Sequence, residues 1–429
     1  IKKEITMRKT LIFTGTMVFS LLLGINAMAG TWKSDSNGWW YDYGNGSFPK
    51  SGWEWIDDDG DSYAESYYFN DKGYIVTGTI IDGYKINSSG AWVDSTGTVQ
   101  RKEIKAVNKK GLAVTNLDRN HASELGVKSV IWNNPVTTDY SPSLRASKAK
   151  GLSNTVIMLN PWQTSNPALL PVGSPQSGAV FYGFNTETEA GRQELKKIAE
   201  KYARSYGDCV DSWVIGNEIN NANTWNFMPN RELNAYTKQY ADAFRIWYDA
   251  IKKENPSAKV YIPFDYRWNW YSDQGYGYLQ ASHMLPILNE QLKDTDYGIA
   301  WHAYPEDLKD PDFTNDASAK DNFSTPIINM KNIGVLTDFM QQSAYLNSKG
   351  NVRSIILSEQ GFNSVSDDKQ AQMIEEAYNI AKNNPYIDTF YLSRENDLGE
   401  VHMGTEMRFG LMDRAGNKRK SFEVYKNLK

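Results

Sequence analysis

Two glutamates in this chain occupy settings that suit acid–base chemistry on a sugar. In residues 211–220 a short apolar run, Trp213-Val214-Ile215, stops at Gly216 and delivers Asn217-Glu218. In residues 353–361 a second run, Ile355-Ile356-Leu357, leads through Ser358 to Glu359. Short apolar runs of this kind suit strands buried on both faces. The carboxyl end of such a strand is where an α/β barrel places its reactive groups. Two glutamates brought to one rim match the needs of retaining glycoside hydrolysis. There one carboxyl protonates the leaving oxygen and the other attacks the anomeric carbon from about 5 Å away. Their surroundings must differ, so that one keeps its proton while the other is ionised. Asn217 is suited to bond a sugar hydroxyl beside the reacting carbon. His302 and Tyr304, which close another apolar run, are candidates to hold Glu359 ionised and aimed.

The elements that would position these groups recur along residues 105–429. Eight apolar runs are separated, for the most part, by helical patterns: 111–116, 127–133, 155–160, 212–218, 259–264, 297–303, 354–359 and 387–393. Leu195, Ile198, Ala199 and Tyr202 give the i, i+3, i+4, i+7 spacing of an amphipathic helix over 187–206. Further helices are expected over 231–255, 335–346 and 367–381. Eight strands alternating with helices predict a (β/α)8 TIM barrel of class α/β. No G-x-G-x-x-G follows any run, which disfavours a doubly wound nucleotide-binding sheet. Polar and aromatic residues at the ends of the runs add Trp132, Asn133, Asn160, Trp162 and Arg394 as substrate-binding candidates. Strand ends that meet water account for part of that polarity. The segment 265–277, with Trp268, Trp270, Tyr271 and Tyr276, is suited either to a sugar platform or to a packed lid.

Residues 30–104 differ in composition. They are rich in Gly, Ser, Asp, Trp and Tyr, and three strand-like pieces stand out: Gly38-Trp39-Trp40-Tyr41, Gly52-Trp53-Glu54-Trp55-Ile56 and Tyr67-Tyr68-Phe69. Each precedes a turn signal, and Asn70-x-x-Gly73 recurs as Asn87-x-x-Gly90. A small all-β module of aromatic hairpins is expected, stacked because a single hairpin is marginal alone. Its rings can serve as core, as a binding surface, or as both. The acidic run from Asp57 lacks the glycine and glutamate of a calcium loop, with Ser62 and Tyr68 at those places.

Ahead of both, residues 1–29 have the pattern of an export signal. Arg8-Lys9 precede a mostly apolar stretch, and Ala27-Met28-Ala29 offers a cleavage site. The whole chain of 429 residues carries −5 and residues 1–29 carry +3, leaving −8 on the remainder. That balance excludes a nucleic-acid partner that needs a basic face. The single cysteine, Cys209, excludes an internal disulfide and Cys-rich zinc motifs and is read as buried packing. No H-e-x-x-H metal motif or G-x-S-x-G elbow occurs, so no metal or cofactor is expected. Aromatics make up 13 % of the chain, with 14 Trp and 26 Tyr, a surplus suited to stacking on sugars or to a large core. After signal cleavage no run is long enough for a membrane span.

Two resemblances follow from these motifs. The repeats Gly38-Trp39-Trp40-Tyr41, Ser51-Gly52-Trp53 and Tyr67-Tyr68-Phe69-Asn70-x-x-Gly73-Tyr74 resemble the cell-wall-binding, choline-binding-type repeats of Gram-positive surface proteins. That resemblance implies attachment to a wall polymer, through choline or a wall glycan, and a secreted or wall-associated bacterial protein. Tyr206-Gly207-Asp208-x-Val210-Asp211-x-Trp213-x-x-Gly216-Asn217-Glu218, with Leu357-Ser358-Glu359-Gln360-Gly361, is similar to clan-A glycoside hydrolases. So are Glu254-Asn255-Pro256-x-Ala258-Lys259-Val260 and Phe409-Gly410-Leu411-Met412-Asp413-x-x-Gly416. Within the clan the chain looks most like uncharacterised bacterial secreted barrel proteins. The resemblance implies Glu218 as acid/base and Glu359 as nucleophile, without a substrate. Clan members often carry Trp at the end of strand eight, where this chain has Tyr391, Ser393 and Arg394. A non-catalytic lectin or adhesin on a barrel scaffold is the alternative, since fold does not fix function.

Overall fold

The computed structural model describes residues 31–42, 48–58, 63–103, 108–115, 120–162, 166–174, 179–270 and 277–429. The export-signal expectation, the Asn45-Gly46 and Asp59-Gly60 turn signals, and Tyr271 and Tyr276 fall outside them. The chain divides into two compact units, Ile1–Ile104 and Lys105–Lys429.

The larger unit is a closed barrel of eight parallel strands. In chain order they are β1 (Lys110–Ala113), β2 (Ser129–Pro135), β3 (Ser153–Leu159), β4 (Ser212–Ile215), β5 (Lys259–Phe264), β6 (Tyr297–His302), β7 (Ile355–Gln360) and β8 (Ile387–Leu392). All eight expected runs become strands, and β8 returns to pair with β1. Among the described residues seven helices accompany them: α1 (Ser141–Ala149), α2 (Glu189–Tyr206), α3 (Leu233–Glu254), α4 (Ala281–Leu292), α5 (Gly334–Met340), α6 (Asp367–Asn383) and α7 (Lys420–Asn427).

Strand alternation sorts the apolar side chains into two layers. Ile131, Ile157, Val214, Tyr261, Ala300, Ile356 and Tyr391 fill the barrel interior. Their neighbours Trp132, Trp213, Ile215, Val260 and Trp301 point outward and pack beneath the helices. The three longest helices begin on side-chain caps. Thr188 accepts from Gly191 at α2, and Ser366 accepts from Lys369 at α6, whose first turn carries Asp367 and Asp368. The helix expected over 335–346 stops at Met340, and a separate 3-10 turn spans Ser343–Tyr345. The break lets the Tyr345 ring lie 4.7 Å from that of Phe339, which six residues of continuous helix would turn away.

The smaller unit is built of antiparallel hairpins. Thr31–Asp35 pairs with Gly38–Asp42. Gly52–Ile56, Tyr63–Phe69 and Arg101–Glu103 form one three-stranded sheet; Ile80–Ile81, Tyr84–Ile86 and Trp92–Val93 form another. The recurrent turn has one construction. Asn70 and Asn87 each accept on Oδ1 from the amides two and four residues on, and Gly73 and Gly90 sit at φ +86° and +87°. Only glycine takes that backbone without strain. Asp94 repeats the arrangement with Gly97, a third copy hidden by the change from Asn to Asp. The rings divide in two. Tyr41, Tyr67 and Phe69, with Trp32 against them, make the core. Trp53, Trp55, Tyr84 and Trp92 form an edge-to-face cluster that stays partly exposed.

Candidate active site

Glu218 reaches the barrel mouth through an unusual turn. β4 ends at Ile215, Gly216 takes φ +82°, and Glu218 itself sits at φ +40°. A non-glycine residue in the left-handed region costs about 1–3 kcal/mol and persists only where its surroundings hold it. Asn220 supplies that hold. Its Oδ1 accepts from the Asp265 amide at 2.9 Å, and its Nδ2 donates to the Asp265 carboxylate at 2.6 Å and the Arg267 carbonyl at 3.2 Å. The Ile219 amide donates to Pro263 at 3.0 Å, which ties the turn to β5.

Glu359 depends on a bulge. Simple alternation from Ile356, which faces inward, would turn Glu359 outward. One extra residue enters β7, because Trp301 pairs with Leu357 but the next residue, His302, pairs with Glu359. The same slip appears against β8, between the Leu357–Phe390 and Gln360–Leu392 pairs. The bulge re-aims the side chain, a familiar use beside active sites. Behind it Gln360 is fully buried, accepting from the Ala303 amide at 3.1 Å and donating to the Tyr391 carbonyl at 3.2 Å.

His302 lies between the two glutamates. Its Nδ1 is 3.0 Å from Glu218 Oε1 and 3.5 Å from Glu359 Oε2. Bound to one nitrogen, those oxygens can be separated by no more than the two distances together, about 6.5 Å. Two carboxyl neighbours assign a ring proton to Nδ1. Nε2 is buried without a partner among the described residues. Tyr304 Oη donates to Glu359 Oε1 at 2.7 Å. Burial raises the Glu218 carboxyl above the usual carboxylate range; His302 opposes this, and the charges of Asp265 and Glu359 add to it. Burial works against the His302 cation, yet Glu359 and Glu218 outweigh it and raise the imidazole. Burial, then Glu359, raises the Tyr304 phenol well above its ordinary value and keeps it a donor. Glu218 is the more enclosed of the two, its side chain 13 % exposed against 24 % for Glu359.

The remaining candidates part company. Asn217 lies beside Glu218, largely buried, with no side-chain hydrogen bond among the described residues. Asn133 shares the inward parity of Ile131 and is exposed at the β2 end, and Trp162 is 39 % exposed in the loop after β3. Trp132 does not line the cleft. Alternation turns it outward, where it is buried and its Nε1 donates to Asn154 at 3.1 Å. Asn160 is likewise taken up by the scaffold: it is buried, and its Nδ2 donates to the Leu169 and Gly183 carbonyls at 3.1 and 2.9 Å, fastening the loop after β3. Arg394 donates to Glu400 at 2.6 Å and feels the charges of Tyr304 and Glu359. Trp268 is packed, its Nε1 donating to the Phe323 carbonyl at 2.9 Å, while Trp270 keeps 36 % exposure. Sequence reasoning assigned no positioning role to Asn220, Asp265, Arg267 or Gln360. The polar ends of β4, β5 and β7 were the available signal. Cys209 is buried, and burial pushes its thiol up to about 11.

Among the described residues no three His, Cys, Asp or Glu side chains are grouped as a metal ion requires, and no helix is long and apolar enough to cross a membrane. Residues 132–429 match the model of a family described as a family of unknown function, DUF5722. No curated protein matches the chain. Among solved structures, a family 39 glycoside hydrolase from the gut symbiont Bacteroides cellulosilyticus WH2 is similar at 14 % identity and a TM-score of 0.52, over 88 % of this chain and 80 % of that one. The GH53 catalytic domain of Ignisphaera aggregans has 13 % identity and a TM-score of 0.49, over 75 % of this chain and 96 % of that one. At such identities the likeness is one of fold.

Proposed function

The chain belongs to the DUF5722 family, and from the chemistry of its barrel mouth we propose that it is a retaining glycoside hydrolase acting on an oligo- or polysaccharide. The observation that carries this reading is the single nitrogen, His302 Nδ1, held between Glu218 and Glu359. It limits the gap between those oxygens to about 6.5 Å, where an inverting pair begins and a retaining pair, at about 5–5.5 Å, fits comfortably.

The roles follow from the surroundings. Glu218, whose protonated form burial favours, gives its proton to the glycosidic oxygen as that bond breaks. Glu359, held by the Tyr304 hydroxyl, attacks the anomeric carbon and forms a glycosyl ester. Glu218, now ionised, takes a proton from water, and the water oxygen displaces Glu359. Two inversions leave the anomeric configuration unchanged. The His302 ring proton steadies whichever carboxylate is charged at each stage. The uncommitted Asn217 amide is available to a sugar hydroxyl beside the reacting carbon. The clan-A resemblance assigns the same two roles to the same residues.

Export and attachment belong to the same reading. The signal pattern of residues 1–29 supports secretion, and the partly exposed cluster of Trp53, Trp55, Tyr84 and Trp92 supports binding of a wall polymer or glycan by the hairpin unit.

Sugar release from a glycan panel, followed by mass spectrometry, tests the assignment. Glu218→Gln and Glu359→Gln are expected to stay folded and each lose at least about a thousandfold in turnover. Two active single variants would end it. Binding without turnover by the wild type would select the lectin reading.

A further inference from the structure

Two guanidinium groups flank the glutamate pair, and they are held differently. Arg267 is clamped. It pairs with the fully buried Asp265 and lies against the rings of Tyr266 and Tyr278, 4.5 and 3.8 Å from their centroids. Its carbonyl helps to hold Asn220, so its work lies in the Glu218 turn. Arg394 is different. It follows Ser393, whose Oγ is 3.5 Å from Tyr304 Oη, and therefore stands on the Glu359 side of the cleft. Its side chain is only 13 % exposed, yet of its five N–H donors a single one, on Nη1, meets an acceptor among the described residues. That acceptor is Glu400, whose own side chain is 47 % exposed.

The unspent donors of Arg394 are not fully buried, so they remain open to an incoming acceptor from the cleft side. The planar fork matches a carboxylate, two N–H bonds to two oxygens. Glu400 already shows a carboxylate seated on one prong. Glu400 is half-exposed, so its hold on Arg394 is the weak one of a solvent-screened pair. Exchange of that contact for a better-aligned carboxylate in the cleft is close to balanced before any geometric gain.

We propose that Arg394 recognises a carboxylate on the sugar that Glu359 attacks, so that the substrate class is a uronic-acid-containing glycan. This deepens the hydrolase reading above and rests on it. Arg394 acts here as a specificity residue: it grips the exocyclic acid and takes no part in the proton transfers.

The test compares matched glycosides, in both anomeric forms, differing only in an exocyclic carboxylate, a sulfate ester or a neutral hydroxymethyl group. With the full wild-type chain, the uronide is expected to exceed its neutral counterpart by at least about tenfold in kcat/KM. Arg394→Gln should bring that ratio close to one, through KM more than kcat. The ratio is the decisive readout, since a merely structural arginine would depress both substrates alike. Equal or better use of the neutral glycoside by the wild type overturns the inference and leaves the hydrolase reading standing. Preference for the sulfate overturns the carboxylate assignment. If no glycoside in the set is cleaved, Glu359→Gln protein is run in affinity gels containing a polyuronate or a neutral polysaccharide. Retardation by the polyuronate alone supports the inference, and any other pattern overturns it.

Discussion

Glu218 stands in a left-handed backbone, beside Asp265 and within reach of Glu359, and burial there raises its carboxyl above the usual range. A carboxyl raised above its unfolded value costs nothing below that value, where both states are protonated. As pH rises toward the folded value, the unfolded chain releases its proton first, and stability falls. His302, raised by the two carboxylates, pulls in the same direction. The wild type is therefore expected to lose thermal stability between about pH 4 and pH 8 more steeply than Glu218→Gln, which lacks one titration and weakens the other. Tm measured across that range checks it; parallel curves would place the proton elsewhere. At this scale the sequence was informative where a residue type ends an apolar run, which is how Glu218, Glu359, His302 and Tyr304 came into view. It was misleading at Trp132 and Asn160, because a run's end does not say which face a side chain takes. Trp132 lies one position off the inward parity, and Asn160 spends its amide on its own loop.

β7 shows how much an element can hide. Residues 354–359 read as one uninterrupted buried run, and nothing in residue type announces the extra residue that turns Glu359 inward. The bulge is visible only against the neighbouring strands. Just beyond it, Gly361 is packed so closely that a Cβ there would come within 2.8 Å of the Tyr304 ring and 2.9 Å of the Ser393 carbonyl. Gly361→Ala should therefore displace the ring that holds Glu359. A loss of about 1–3 kcal/mol in stability and a fall in kcat beyond about tenfold are expected, read by denaturant unfolding and initial rates. Near-normal turnover would mean that Tyr304 does not need its present position. The helices that escaped detection have physical reasons too. α4 carries Pro286 in its interior, which reads as a break. α1 spans nine residues and α7 eight, too few for periodicity to stand out.

For the whole molecule, the barrel was legible because eight buried strands leave eight apolar runs, and burial on both faces is a strong signal. The hairpin unit was legible in kind, through its paired tryptophans and Asn-x-x-Gly turns, but the division of its rings into core and exposed cluster required coordinates. Retaining hydrolysis would require the barrel to hold an enclosed acid and an ionised nucleophile across one sugar. Trapping the covalent intermediate tests that most directly. Incubation of the full chain with a set of 2-deoxy-2-fluoro glycosyl fluorides, followed by proteolysis and mass spectrometry, is expected to place one sugar on the peptide containing Glu359. Glu359→Gln should stay unlabelled. A sugar ester on any other residue, or turnover of a substrate with inverted anomeric configuration in the first-formed product, would contradict the account.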